Sequence, residues 1–284
     1  MSDLIRQRFH CSIFLLLTDT TVPLALAAPA AVATAAYLNA RTSFSYDVRL
    51  IKSAVKSQLI NAIREKRDRL NLFYTLESHA LGKQANSVFI IFEGNQYTYK
   101  ETYDIVLKYG TWLKAKHNIK PKEVVVMDFM NSATFVFVWF GIWAIGAKPA
   151  FINYNLTGKA LTHCVTSSTA RLFLVDAELQ GNVDDVVRTT LTGVQIEVMT
   201  TEVQGDIMST VGVREPDAVR SEDKSQNMAA LIFTSGTTGL PKPAIVSWTK
   251  TNVASVLVPT WASFEKSDIF YTASISMSSI MKTS

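Results

Sequence analysis

The chain has 284 residues, 48% of them hydrophobic and 18% charged, with a net charge of +4 and a mean hydropathy of +0.15. Those values exclude intrinsic disorder and a collagen-like chain, and two cysteines, Cys11 and Cys164, exclude a disulfide-stapled secreted scaffold. The charge is too mild to argue for nucleic acid, and the hydropathy points to a globular chain carrying one membrane-seeking segment.

That segment lies near the N-terminus. Thr20 to Ala40 carries no charged residue. As a helix it would run roughly 31 Å, at about 1.5 Å per residue, close to the thickness of a bilayer's hydrocarbon core. It is Ala-rich, contains Pro23 and Pro29, and follows the apolar run Ile13–Leu17. Three readings stay open: a spanning or re-entrant anchor, an interfacial hairpin, or a cleaved signal peptide. Residues 1–46 are therefore read as a leader with a membrane anchor. From Arg41 to Arg69, eight basic residues face three acids, so most of the excess charge is local. The positive-inside rule then places the long C-terminal part in the cytosol. Val48, Ile51, Val55, Leu59 and Ala62/Ile63 recur at helical spacing beside these cations. Residues 47–70 are read as a basic amphipathic helix. It either lies on anionic headgroups or packs on the domain through its apolar stripe.

From about Ser87 onward the pattern is α/β. Val88–Phe92 and Gln96–Thr98 flank Glu93-Gly94-Asn95, a hairpin signal. Thr98 followed by Glu101 is a capping box that opens a helix to about His117. Val124–Met127 reads as a buried strand, Asn131 to Ile145 as an apolar helix ended by Gly146, and Lys148–Ile152 as a strand. A helix over Thr157–Ser167 and strands at Leu172–Val175 and Ile196–Met199 follow. Short apolar strands alternating with helices predict a mostly parallel sheet with flanking helices. The polar stretch from Gly205 to Asn227 predicts a surface loop or subdomain connection.

The chemistry concentrates after Ala229–Phe233, where the chain reads Thr234-Ser235-Gly236-Thr237-Thr238-Gly239-Leu240-Pro241-Lys242-Pro243. Gly236 and Gly239 allow backbone N–H groups to point at an anion. Thr234, Ser235, Thr237 and Thr238 supply hydroxyl donors, and Lys242 supplies a charge-assisted contact to phosphate oxygens. The glycine spacing differs from a Walker A loop, and Pro243 stands where that loop has Ser or Thr. A polar hairpin turn between two strands is the plainer reading of such a segment. The four histidines show no metal-ligand spacing, and Cys164 reads as a packed helix residue. Trp139, Phe140 and Trp143 read as core rather than as lining for a ligand.

These ten consecutive residues resemble the signature of the adenylate-forming (AMP-binding) enzymes. Phe92-Glu93-Gly94 with Tyr97-Thr98-Tyr99 is similar to an early block of the fatty acid transport protein and very long-chain acyl-CoA synthetase family. Asn131-Ser132, Trp139-Phe140-Gly141, Ile152-Asn153-Tyr154-Asn155-Leu156 and Leu161-Thr162-His163-Cys164 are similar to that family's later blocks. The resemblance implies an incomplete N-domain of an AMP-binding enzyme over residues 71–284. It also implies a two-step reaction. A fatty carboxylate attacks the α-phosphate of ATP with Mg²⁺, and coenzyme A then displaces AMP. Residues 234–239 and Lys242 would stabilise charge on the departing pyrophosphate. The partners implied are a fatty acid substrate and a membrane, with no nucleic acid and no assigned oligomer.

After Asp268–Ala273 the family continues with a Pro-Leu-Tyr-His-like block, whereas this chain reads Ser274 to Ser284. The expectation is a truncated N-terminal portion that does not complete the reaction alone. The competing expectations are a catalytically dead lipid- or nucleotide-binding fragment and an enzyme for another carboxylate.

Overall fold

The computed structural model describes residues 24–234, 239–265 and 267–271, and the chain divides into two compact units, Met1–Lys52 and Ser53–Ser284. In the first unit, helix α1 (Leu24–Thr42) carries Pro29 inside it, and Ser43, at φ +56°, separates it from helix α2 (Phe44–Lys66). Alanine gives α1 strong helix propensity but little hydrophobicity. Among the described residues no helix is long and apolar enough to cross a membrane. Thr20–Pro23 and Ile13–Leu17, which the anchor reading also uses, lie outside the described residues.

The second unit begins within α2, and here that helix packs by its polar side. Ser53, Ser57 and Asn61 are buried, while Val55, Leu59 and Ile63 are exposed. The apolar stripe does not pack on the domain. Hydrogen bonds hold the inverted face in place. Asn61 Nδ2 donates to Ser225 Oγ at 3.0 Å, and Arg64 Nη1 donates to Asn252 Oδ1 at 2.5 Å. Ser225 donates to Glu65 through both its backbone N–H and its hydroxyl.

Helix α3 (Phe73–Ala80) leads to the hairpin of β1 (Val88–Phe92) and β2 (Asn95–Thr98). Thr98 caps helix α4 (Tyr99–His117) in a reciprocal capping box with Glu101, as its sequence predicts. Then follow β3 (Val124–Asp128), α5 (Ala133–Ala144), β4 (Lys148–Ile152), α6 (Gly158–Ser167) and β5 (Leu172–Asp176). A 3₁₀ turn (Ala177–Asn182), α7 (Asp185–Thr190), β6 (Gln195–Met199), α8 (Thr201–Ser209) and a second 3₁₀ turn (Asp217–Arg220) come next. The described elements end with β7 (Met228–Thr234), β8 (Lys242–Ser247) and α9 (Trp248–Trp261).

The main sheet has six strands in the order β6-β5-β3-β4-β7-β8, all parallel except the β7–β8 pair. Alternate residues of the buried strands feed two separate cores. On one face, Val125, Met127, Leu172 and Leu174 pack with α4 and α5. On the other, Val126, Phe173 and Val175 pack with Leu161, Cys164 and Val165 of α6. Trp139, Phe140 and Trp143 on α5 are buried in the first core, and Trp143 Nε1 donates to the Ala229 carbonyl at 2.9 Å. Gly146, at φ +78°, ends the turn after α5 where a Cβ would lie 1.9 Å from the Val219 carbonyl oxygen.

The stretch from Gly205 to Asn227 is mostly exposed, as a surface connection would be, but buried residues anchor it to the domain. Gly205 belongs to α8. Arg220 is buried, donates to the Ala144 and Glu215 carbonyls, and stands 4.7 Å from the Phe73 ring centre. Asp223 pairs with Lys148 at 2.6 Å, both side chains at 7% exposure or less. Charged residues close together in sequence read as solvated, yet these find buried partners on distant elements. Such pairing is the condition under which charges enter a core.

Candidate functional site

Strands of a parallel sheet present their carboxyl ends along one edge, where α/β proteins place their ligands. Four chain segments converge there: Asp128 at the end of β3, Asn153 after β4, Asp176 at the end of β5 and Thr234 at the end of β7. The Gly/Thr-rich loop leaves from this edge. Its flanks are the two strands of a hairpin, with Thr234 paired opposite Lys242. The hairpin reading therefore holds for the flanking strands.

Of the predicted site residues, Thr234, Gly239 and Lys242 are described, and Ser235, Gly236, Thr237 and Thr238 lie outside the described residues. The Thr234 hydroxyl donates to the Lys242 carbonyl at 3.4 Å, joining the two ends of the loop. Lys242 is exposed, so its ammonium can meet a phosphate without first leaving a buried partner. Gly239 sits at φ +90° with no atom of the described residues within 4 Å of where a Cβ would be. Backbone conformation, not crowding, is what requires glycine at that position. A flexible-backbone glycine, hydroxyl groups and one ammonium form a donor set suited to a polyphosphate.

One contact here could not be read from motifs. His163, on α6, places Nε2 3.1 Å from the Pro241 carbonyl oxygen. A carbonyl only accepts, so this contact requires the proton on Nε2. The Ser167 hydroxyl lies 3.4 Å from the same nitrogen. His163 therefore braces the loop one residue before Lys242. The two contacting residues are 78 positions apart, and no local pattern links them.

Beneath the same edge lies an unusual acid. Asp128 is fully buried, and neither carboxylate oxygen has a hydrogen-bond partner among the described residues. Its Cα partners are Ile152 and Val175. Burial pushes its pKa up to about 7, and the negative charge of Asp176 adds to the rise. Cys164 is buried too. Burial, then the charge of Asp128, pushes its thiol up to about 11, so it stays protonated and acts as core. Among the described residues no group of three His, Cys, Asp or Glu side chains could hold a metal ion.

Comparison with known proteins agrees with this geometry. Residues 76–282 match the family described as AMP-binding enzyme. The chain is 31% identical over 237 residues to a very long-chain fatty acid transport protein of Cochliobolus heterostrophus, covering 82% of this chain and 36% of that protein. It is 30% identical over 204 residues to the very long-chain fatty acid transport protein of Saccharomyces cerevisiae, covering 68% and 29% respectively. The chain thus spans about a third of the length of these curated relatives. The solved Mycobacterium tuberculosis fatty acyl CoA synthetase shares the fold, with a TM-score of 0.60, 17% identity, and coverage of 73% of this chain and 39% of that one. With most of its length matched to the family, and the family's loop standing at the carboxyl edge of its sheet, the chain belongs to the AMP-binding enzymes and is a relative of the fatty acid transport proteins.

Proposed function

We propose that the chain supplies the phosphate-binding part of an ATP-dependent long- or very long-chain fatty acid–CoA ligase associated with a membrane. The observation that carries this reading is the loop from Thr234 to Lys242, in a chain whose relatives are named for very long-chain fatty acids. ATP binds through its phosphates at Thr234, Ser235, Gly236, Thr237, Thr238, Gly239 and Lys242. Lys242 and the loop N–H groups offset negative charge on the β- and γ-phosphates. His163 holds the Pro241 carbonyl and so limits the positions open to Lys242. Mg²⁺ and coenzyme A are required by the reaction, and no residue of this chain is assigned to either.

The residues assigned here are phosphate contacts, and none is assigned to the acyl chain or the adenine. The chain alone, at about a third of its relatives' length, is expected to bind nucleotide without turning it over. The test is fatty-acid-dependent AMP release. It is run on the 284-residue chain and on a fusion to the part of the Cochliobolus relative that this chain does not match. We expect no release by the chain alone. The fusion should release AMP with long-chain fatty acids and not with aryl or amino acids. Lys242→Ala in the fusion should lower the rate by about 10²-fold, the scale of losing one charge-stabilising donor. AMP release by the chain alone would refute its dependence on further length. A fusion that prefers aryl acids would refute the substrate class.

A further inference from the structure

The second unit presents an unusual helix face. On the Ser53–Lys66 part of α2 the inward side is polar and the outward side is apolar. Val55, Leu59 and Ile63 are 64%, 59% and 41% exposed. At about 100° per residue the three lie on one stripe, opposite buried Ser53, Ser57 and Asn61. A helix packed only to bury apolar surface would show the reverse arrangement.

The orientation is fixed by specific bonds. Besides the bonds to Asn252 and Ser225, Arg64 reaches Ser255 Oγ at 3.3 Å and Thr75 Oγ1 at 3.4 Å. Rolling the stripe inward would break these contacts and leave the buried Asn252 Oδ1 without its Arg64 donor. The stripe is held outward.

Charge says what it faces. Lys56, Lys66 and Arg67 are exposed beside the stripe, and among the described residues none of them is in an ion pair. The acid nearest to them in sequence within the helix, Glu65, is turned to Ser225, which holds its carboxyl below the usual range. The outward side of this segment therefore combines three aliphatic side chains with three cations and no acid. That combination matches the headgroup region of an anionic bilayer, where apolar groups enter the acyl boundary and cations stay among phosphates and carboxylates.

We propose that the outward face of α2 over Val55–Arg67 docks on an anionic lipid membrane. This rests on the membrane-association part of the proposed function. Its test uses neither nucleotide nor fatty acid, so its failure would leave the ligase reading standing.

The test uses the full chain with Cys11→Ser and a nitroxide label at Leu59→Cys, Cys164 being buried. Collision with oxygen and with a water-soluble nickel chelate is measured with and without phosphatidylserine–phosphatidylcholine vesicles. We expect the oxygen-to-nickel ratio to rise several-fold with anionic vesicles and much less with phosphatidylcholine alone. In a flotation assay, Leu59→Glu/Ile63→Glu should weaken binding to the anionic vesicles at least tenfold. A label that stays nickel-accessible on vesicle-bound protein would overturn the proposal, because another segment would then hold the chain. Equal ratios on both vesicle types, or no vesicle binding, would overturn it as well. So would concentration-dependent immobilisation of the label without vesicles, which would mean that a second copy covers the stripe.

Discussion

Asp128 is the residue whose chemistry is least compatible with its place. Its carboxyl is buried with no donor among the described residues, so the ionised form is strongly disfavoured. Its folded pKa, about 7, lies above the unfolded value near 4. The protonated form therefore carries no ionisation penalty below about pH 4. Stability falls as pH rises from there to about 7 and stays lowered above it. At about 1.4 kcal/mol per pKa unit the loss is on the order of 2–4 kcal/mol. Urea unfolding at pH 5 and pH 8 measures it. The wild-type decline should largely disappear in Asp128→Asn, and parallel pH profiles for the two proteins would rule the account out. Lys148 and Asp223 pose the opposite case, two buried charges that satisfy each other at 2.6 Å. Burial lowers the Lys148 pKa, and Asp223 opposes that shift. Asp223→Ala leaves the ammonium uncompensated and should cost about 3–5 kcal/mol by denaturant titration. The Lys148→Met/Asp223→Leu double variant should recover much of that loss, since a well-packed apolar pair removes both desolvation costs.

Among the elements, α4 and α2 show how local and distant forces divide. Helix α4 starts where Thr98 and Glu101 satisfy each other's orphan groups, and ends at Asn118 in the left-handed conformation. Both devices act within a few residues, and both are recognisable from residue type. Thr98→Ala should cost about 1 kcal/mol, read as a lowered unfolding midpoint with an unchanged denaturant slope. Helix α2 is equally evident as a helix, but its facing is not. Periodicity marks an apolar stripe without saying whether the protein or a membrane covers it. Ser225 and Asn252, more than 160 positions away, decide that the polar side turns inward. The β7–β8 hairpin carries the same lesson. Its loop is recognisable residue by residue, whereas its position at the carboxyl edge depends on β7 pairing with β4.

For the molecule as a whole, family membership and extent constrain function together. The match covers residues 76–282, and the two strands that flank the Gly/Thr-rich loop form an edge pair of the sheet. The relatives are about three times longer. The proposed binding of phosphate and the proposed completion of acyl transfer are therefore tested separately. The absence of AMP release by the 284-residue chain and its appearance in the fusion would separate them experimentally.

Sequence alone determined the elements with short-range causes: the capping box at Thr98, the apolar helix that begins at Asn131–Ser132, the apolar strands and the loop from Thr234 to Lys242. Periodicity, cap chemistry and turn residues act over a few positions, so residue type suffices to read them. Tertiary structure decided which way α2 faces, that Arg220 and Asp223 are buried rather than solvated, and that His163 braces Pro241. Those outcomes depend on partners brought together only when the sheet assembles. A charge or a histidine has no fixed role until the fold supplies the group that satisfies it.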